Sequence, residues 1–296
     1  FDQAGNNSIG WLTAPLEYHL DSTPPAAPGN FVVTPASPSA ANNPTWTWDA
    51  CADAAGGVGL RSSAPYEVEI SADGGQTWAA AVPATVGSAS WTPNPVLSAD
   101  GSYTIRVRSV DARNNKSAWG VSGAYVFDKT PPTAPSNITV TPASPSNQQP
   151  TWSWTPSTDT GGSGLKRYEI QFSNDDFMTY STVSSLNPPN PPDPSMINMS
   201  LADGEWKIRV SAVDNAGNMS AYVDAPTAYL LDTKAPDAPS SFTDPTPTPG
   251  NDTTPTWSWI APADTGVGLH ETAPYEVQIS LNSGAWADAS PATALS

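Results

Sequence analysis

The sequence predicts an all-β protein built from tandem antiparallel β-sandwich modules joined by short Pro-rich linkers. The first observation is a segment with the same tryptophans, aspartates and prolines that returns about every 105 residues of the 296-residue chain. That period is too long for a solenoid repeat of about 20–50 residues and fits one whole β-sandwich. The second observation is that each period contains short alternating runs separated by Gly, Pro, Asn and Asp, without a convincing helical stretch.

The repeat is clearest in a Pro-Thr-Trp-x-Trp run, which occurs at residues 44–48, 150–154 and 255–259. Alternation places both indoles of each run on one face of a strand and both hydroxyls on the other. In the second complete unit, further alternating runs predict strands at residues 137–141, 168–172, 206–212 and 228–231. About seven short strands per unit favour an antiparallel sandwich of two sheets.

Linkers that begin with Asp and contain proline separate the units, at residues 21–25, 128–132 and 232–236. Such proline content favours extended, semi-rigid spacing, so we expect the modules to form a rod. We divide the chain into a C-terminal strand fragment of an upstream repeat, two complete repeats and the N-terminal half of a further repeat: 1–22, 23–130, 131–234 and 235–296. Because half a sandwich cannot bury its apolar face, we expect the chain to be a window from a longer tandem array.

The composition excludes several classes of function. Eleven Lys and Arg against 28 Asp and Glu give a formal net charge of −17, which disfavours nucleic acid as a partner. No run approaches the ~18 apolar residues of a membrane span, so no membrane insertion is expected in this segment. Cys51 is the single cysteine, so no intrachain disulfide can form. The repeats place Ser157 and Pro262 opposite Cys51, which argues against a nucleophile there.

No constellation of residues indicates catalysis, and we predict that the chain is not an enzyme. His19 and His270 fall at unrelated points of the repeat. Glu67 and Glu69 lie one strand pitch apart on a face that we expect to be exposed to solvent, which is ordinary outward polarity. The run Ser71–Trp78 fits the Asp-box pattern of sialidase-type propellers, where it forms a structural hairpin, and we predict a turn here.

Several aromatic residues outside the Trp-x-Trp strand leave two interpretations open. They are Trp11, Trp78, Trp91, Trp119 and Trp286. A flat exposed indole can stack on a sugar ring, whereas tryptophan in proteins is more often mostly buried. Trp11, Trp119 and Tyr222 occupy matching positions of the repeat, which favours structural packing on the last sheet.

Taken together, the motifs resemble a known class of module. Trp-x-Trp, Asp-Gly-x-Tyr/Trp-x-Ile-x-Val and Val-Asp-x-Ala-Gly-Asn-x-Ser before an Asp-x-Thr-Pro-Pro linker are similar to the bacterial Ig-like and fibronectin-III-like repeats of large secreted adhesins and surface filaments. The resemblance implies an extracellular or bacterial cell-surface location. It also implies, as partners, neighbouring repeats of the same long chain and homotypic filament or cell-surface contacts. The run at 214–220 matches fully, whereas the run at 111–117 replaces Ala-Gly by Arg-Asn, which predicts a different turn or a weakened ion site there.

Aspartates recur at three positions of the repeat: the Gly-rich turn, the Val-Asp turn and the first residue of the linker. They are Asp53, Asp159 and Asp264; Asp2, Asp111 and Asp214; and Asp21, Asp128 and Asp232. Resembling extender modules bind calcium through acidic residues near their ends, and Ca²⁺ accepts irregular sets of six to eight oxygen ligands. Asp also favours turns because its carboxylate caps local backbone amides. Calcium is therefore the one cofactor that the sequence suggests, and plain Asx-turn structure is the alternative.

These observations predict a non-catalytic structural stalk or extender of a large extracellular bacterial adhesin or surface filament, which projects or connects adhesive regions. The alternative from another class is a spacer or carbohydrate-binding region of a secreted polysaccharide-degrading enzyme. A phage fibre module is a third reading, because such sandwiches host unrelated functions.

Overall fold

The computed structural model describes residues 3–4, 20–160, 162–184, 200–243, 250, 256–271, 274–281 and 283–294, and all regular structure in them is β. The predicted all-β fold is therefore confirmed. Among these residues there is no helix long and apolar enough to cross a membrane. The chain divides into two compact units. One comprises Phe1–Pro132, Asp159–Gly164 and Asp214–Asn218, and the other comprises Thr133–Thr158, Leu165–Val213 and Met219–Ser296.

The first complete repeat forms two sheets. Its strands are β1 (Val32–Thr34), β2 (Thr45–Thr47), β3 (Tyr66–Ser71), β4 (Ala79–Val86), β5 (Ser90–Trp91), β6 (Gly101–Ser109), β7 (Gly120–Val121) and β8 (Tyr125–Phe127). One sheet has the order β1-β2-β5, and the other has the order β4-β3-β6-β7 with β8 also paired to β6. All of these pairs are antiparallel, as expected for a sandwich.

The core of this repeat lies between the two inner faces. Trp46 and Trp48 both point inward, as the alternation predicts, and are 1% and 5% exposed. Trp46 packs on Trp91 and edge-on to Tyr125, with ring centroids 5.5 and 5.7 Å apart. Aromatic contacts of this kind add to the free energy gained by burying apolar area.

The second complete repeat has the same plan. Its strands are β9 (Ser136–Thr141), β10 (Thr151–Thr155), β11 (Leu165–Ser173), β12 (Ser181–Ser184), β13 (Gly204–Asp214), β14 (Val223–Asp224) and β15 (Tyr229–Leu231). β9 pairs with β10, and the larger sheet has the order β12-β11-β13-β14 with β15 also paired to β13. Trp152, Ile170 and Val210 are at most 1% exposed in a core that lies within the second compact unit.

Residues 235–296 contain two strand pairs: β16 (Ser240–Thr243) with β17 (Ser258–Ile260), and β18 (Tyr275–Ser280) with β19 (Trp286–Ala294). Among the described strands, β18 pairs with β19 alone, whereas the corresponding β3 also pairs with β6. Trp257 is 44% exposed, although its counterparts Trp46 and Trp152 are 1% exposed. The Trp-x-Trp motif therefore marks the strand, and burial depends on the strands that cover it.

In both complete repeats, the residue at the position of Cys51 donates a backbone hydrogen bond to a tyrosine. In the second repeat the amide of Ser157 donates a hydrogen bond of 2.8 Å to the hydroxyl of Tyr168, and the first repeat has the same bond from Cys51. Pro262 stands at this position in the third segment and has no N–H to donate. The buried hydroxyl of Tyr275 accordingly has no hydrogen-bond partner among the described residues. Cys and Ser can both occupy this position because the bond to the tyrosine hydroxyl comes from the backbone N–H.

Candidate functional site at the acidic joints

The first aspartate of each linker bonds both to its own linker and to the turn that follows. In Asp128, which is fully buried, Oδ1 accepts a hydrogen bond from Thr130 N at 3.1 Å and Oδ2 accepts one from Ser163 N at 3.2 Å. Asp21 and Asp232 make the same pair of bonds, the second to the amides of Val58 and Val267 at 3.0 Å in each case. The linker aspartate thus fastens the linker to the Gly-rich turn of the next repeat.

The aspartate of the Gly-rich turn closes that turn on itself. Oδ2 of Asp53 accepts from Gly59 N at 2.8 Å, and Oδ2 of Asp159 accepts from Gly164 N at 2.7 Å. Both glycines have positive φ values, +84° and +80°, which side-chain-bearing residues rarely adopt. Asp264 accepts from the amide of Gly266 at 3.0 Å. The Asp264 bond, to a residue two positions on, is of the Asx-turn type, whereas the bonds of Asp53 and Asp159 span six and five residues and close a longer loop.

The Val-Asp turn adds a third carboxylate and an asparagine. Asp214 is fully buried, and its oxygens accept from the backbone N and the Nδ2 of Asn218 at 2.8 and 2.7 Å. Asn218 Nδ2 also donates to the carbonyl of Asp128 at 2.8 Å, which ties this turn to the linker. In the first repeat, Asp111 and Asn115 make the same bonds, with Asn115 Nδ2 donating to the carbonyl of Asp21 at 3.1 Å.

Of the two alternatives predicted for the first repeat, a different turn is wrong, and a weakened ion site stays a prediction. Asn114 adopts a φ of +67° where the second repeat has Gly217 at +94°. Asparagine tolerates the left-handed region better than most residues, so the replacement of Gly by Asn leaves the turn intact.

The three recurring aspartates meet at two joints, where a linker meets the Gly-rich turn and the Val-Asp turn of the next repeat. Asp21, Asp53 and Asp111 form one group and Asp128, Asp159 and Asp214 form another, each with carboxylate oxygens within 4.8 Å of one another. Both groups lie within the first compact unit. In the third segment, Asp232 and Asp264 hold the corresponding linker and turn positions. Asp2, also predicted as a ligand, lies outside the described residues.

Hydrogen bonding favours the charged form of two of these carboxylates, Asp111 and Asp232. Burial acts to raise the pKa of Asp111, but the hydrogen bonds from Asn115 and Arg113 outweigh it and the pKa lies below its usual range. The amides of Val267 and Lys234 lower the pKa of Asp232 in the same way. Asp111 and Asp232 are therefore negatively charged at neutral pH, and carboxylate oxygens are hard ligands of the kind that Ca²⁺ prefers.

Two features of this site escaped the sequence analysis. One is the grouping itself, in which the aspartate that ends one repeat joins the two aspartates of the next. The other is the asparagine four residues after Asp111 and Asp214, which bridges carboxylate and linker. Its recurrence as Asn115 and Asn218 is the signal that could have revealed it. The described hydrogen bonds account for the turns, and calcium stays a prediction.

The other described residues that the sequence singled out are held in a turn, in the core or in salt bridges. The predicted Asp-box turn is present: Asp73 accepts hydrogen bonds from the hydroxyls of Ser71 and Thr77, which hold its pKa well below the usual range. Trp91 is 2% exposed and its Nε1 donates to a backbone carbonyl. Glu67 and Glu69 are only 21% and 28% exposed, and they form salt bridges with Arg108 and Arg106 across β3 and β6. His19 and Trp11 lie outside the described residues.

No known family profile matches the sequence. Exoglucanase B of Cellulomonas fimi is 31% identical over 242 residues, which are 80% of this chain and 20% of that protein. Chitinase A1 of Niallia circulans is 30% identical over 214 residues, which are 70% of this chain and 26% of that protein. The chain therefore spans about a fifth to a quarter of the length of these relatives. Among solved structures, the FN1–FN3 domains of chicken CNTN1 show 17% identity and a TM-score of 0.37 over 69% of this chain and 68% of theirs.

Proposed function

We propose that the chain is a non-catalytic connector region of a secreted polysaccharide-degrading enzyme. The observation that supports this most directly is the similarity to an exoglucanase and a chitinase, which extends over most of this chain and a small part of theirs. This favours the enzyme-spacer alternative over the adhesin or filament stalk. An extracellular location goes with this proposal.

The described site supports a connecting role. Asp73 and Asp159 are engaged in turns, and Glu67 forms a salt bridge on a sheet face. At the joints, the same bonds recur wherever a linker meets the next turn. A connector needs such repeated contacts because each one restricts rotation of the linker.

The connector proposal is tested by the coding sequence on either side of these residues and by an activity assay. We expect a glycosidase domain in the same open reading frame, and no release of reducing sugar from cellulose or chitin by the purified 296-residue chain. An open reading frame of further repeats without a catalytic domain would favour the stalk instead. Hydrolysis by the purified chain would overturn the non-catalytic assignment.

We also propose that each joint holds Ca²⁺, with Asp21, Asp53 and Asp111 at one site and Asp128, Asp159 and Asp214 at the other. The support is the proximity of three carboxylates whose mutual repulsion a divalent cation would offset. Asp232 and Asp264 would contribute to a third site. Bound calcium would stiffen the linker at the turn it already contacts.

Thermal unfolding in calcium and in chelator tests the ion. Because a ligand that binds only the folded state stabilises it, calcium should raise the Tm of the wild-type chain by several degrees. Asp128→Asn should reduce that rise, whereas Asp224→Asn, at an exposed position on β14, should keep it. An unchanged Tm in the wild-type chain would show that the aspartates serve as turn residues alone, and it would leave the connector proposal intact.

A further inference from the structure

The hairpin that follows β11 is strained in a way that its counterpart in the first repeat is not. Asp176 and Phe177 have φ values of +61° and +63°, in the left-handed region. The first repeat has Gly74 and Gly75 at these positions, with φ values of +75° and +88°. Glycine adopts this conformation without steric cost, whereas a bulky side chain does not. A phenylalanine there is an outlier that calls for a reason.

The frame of the hairpin does not require Phe177. Ser173 Oγ accepts from Asp175 N and Phe177 N at 3.1 and 2.9 Å, and Asp175 accepts from the amide and hydroxyl of Thr179. In the first repeat Ser71 and Asp73 accept the equivalent bonds, and Gly74 and Gly75 follow Asp73. These bonds involve backbone N–H groups and conserve the turn with either residue type. The Phe177 ring is therefore an addition to an already complete turn.

That ring joins two others around one arginine. Arg209, on β13, has its guanidinium carbon 4.5 Å from the ring centre of Phe177, 5.3 Å from that of Tyr180 and 5.1 Å from that of Tyr222. Gln171 fixes the base of the group, because it accepts from Arg209 Nε at 2.7 Å and donates to the Tyr222 hydroxyl at 2.9 Å. Tyr180 is nevertheless 52% exposed. We name Phe177, Tyr180 and Tyr222 the aromatic platform.

The first repeat covers the corresponding surface with charged groups. Trp119, the counterpart of Tyr222, has the guanidinium groups of both Arg106 and Arg108 within 4.6 Å of its ring centre. Glu67 pairs with Arg108 at 2.8 Å. In the second repeat Ser211 replaces Arg108, so in the part of the chain that the structure describes Arg209 alone lies over Tyr222. The second repeat thus has three aromatic rings and one guanidinium at this surface where the first has two of each, while Glu169, at the position of Glu67, pairs with Arg167 instead.

A polar cavity of about 280 Å³ lies at the same hairpin: Asp176 in its lining directly precedes Phe177, and Lys207 lies two residues before Arg209 on β13. Its lining includes Asn174, Asp176, Glu205 and Lys207, and Lys207 Nζ lies 2.8 Å from Asp176 Oδ1. These are amide, carboxylate and ammonium groups on the surface, which can donate to and accept from neighbouring hydroxyl groups. A pyranose ring has a C–H face that stacks on aromatic rings and an edge of hydroxyl groups, so it matches both halves of this surface.

We propose that the aromatic platform and the adjoining polar cavity bind a polysaccharide chain, with a sugar ring on Tyr180 and Phe177 and its hydroxyls on Asn174, Asp176 and Lys207. The site deepens the connector proposal and rests on it for the class of ligand, which is an insoluble glucan or chitin. The strained φ of Phe177 is then the cost of presenting a ring to the ligand.

Binding of the 296-residue chain to insoluble cellulose and to chitin tests the site. We expect the wild-type chain to sediment with one of the two polysaccharides, which identifies the sugar, and Phe177→Gly and Tyr180→Ala to weaken this at least tenfold. Trp78→Ala, at the position of Tyr180 in the first repeat, should bind like the wild-type chain. Thermal unfolding of Phe177→Gly should show equal or greater stability, because the turn loses its strain.

Three outcomes would overturn the proposal. The wild-type chain binds neither polysaccharide, Phe177→Gly binds as well as the wild-type chain, or Phe177→Gly unfolds at a clearly lower temperature and so shows that the ring serves the fold. None of them bears on the connector proposal, which depends on the flanking coding sequence and on the absence of hydrolysis.

Discussion

The outer sheet faces of the first and second repeats have an arginine at the same position, but the residues around it differ. Arg106 lies over Trp78 and Trp119 and pairs with Glu69, whereas Arg209 lies among three aromatic rings and bonds to Gln171. The turn between strands changes from Gly-Gly to Asp-Phe while its hydrogen bonds stay the same. The backbone frame is thus independent of the surface that it carries.

The joints, in contrast to the outer sheet faces, have the same hydrogen bonds in both repeats. The bonds made by Asp21 in the first joint are made by Asp128 in the second, and Asn115 and Asn218 donate to the same kinds of atom. Where a side chain holds the linker, the two repeats agree in detail. Where a side chain faces outward, they differ. We therefore expect a function that all repeats share to depend on the joints, and a function of a single repeat to depend on its outer sheet face.

The largest expected effect comes from breaking the joints. Asn218→Ala removes the donor to Asp214 Oδ2 and to the Asp128 carbonyl, which leaves two acceptors at a buried site unsatisfied. We expect a loss of about 1–3 kcal/mol in the free energy of unfolding, and a similar loss for Asn115→Ala. Urea denaturation measures both, with the exposed Asn147→Ala as control. Losses that differ widely between the two variants would contradict the equivalence of the joints.

A glycine-to-phenylalanine exchange in the hairpin tests the contrast between the faces. Gly75→Phe places a side chain at a φ of +88°, and even a Cβ there would lie 3.3 Å from the Trp78 ring. We expect the first repeat to lose about 1–2 kcal/mol, from the strain of a left-handed residue. Chemical denaturation followed by tryptophan fluorescence reports it. A neutral result would mean that this turn accepts Phe without strain.

The lowered pKa of Asp111 predicts a dependence of stability on pH. Its folded pKa lies below that of the unfolded chain, so the stabilisation is present above the unfolded value of about 3.9 and is lost as pH falls through the folded value. The Tm of the wild-type chain should therefore fall more steeply between neutral and acidic pH than that of Asp111→Asn. Parallel curves for the two proteins would show that this carboxylate does not contribute to the acid sensitivity.

The smallest effect is expected from removing one of the charged residues that cover the outer sheet face of the first repeat. Arg108→Ser, which copies Ser211 of the second repeat, removes a partly exposed ion pair with Glu67 and one guanidinium from Trp119. We expect a loss of up to about 1 kcal/mol in the free energy of unfolding, reduced further by added salt. The comparison is made by denaturation at low and high ionic strength. A loss that high salt does not reduce would assign the role of Arg108 to packing.

Much of the fold can be predicted from the local alternation of apolar and polar residues along each strand. The runs that contain Trp152 and Tyr168 predict both the strands and the buried faces, because a period of two places every second side chain inward. The same reasoning fails for Trp257, whose exposure depends on strands far away in sequence. It also could not give the meeting of Asp128 with Asp159 and Asp214, since spacing along a chain does not fix which turns come together. The left-handed Phe177 runs against residue preference and is visible only in the structure.

The linker aspartate also decides where one module ends. In sequence it follows the last strand of a repeat, yet Oδ2 of Asp21, Asp128 and Asp232 serves the amide of a residue in the next repeat. Exchange between repeats would keep this bond wherever the cut falls, because each linker begins with Asp. A repeat moved into an unrelated protein would lack the acceptor for its turn if it were cut after the aspartate. A portable module should therefore begin at Asp.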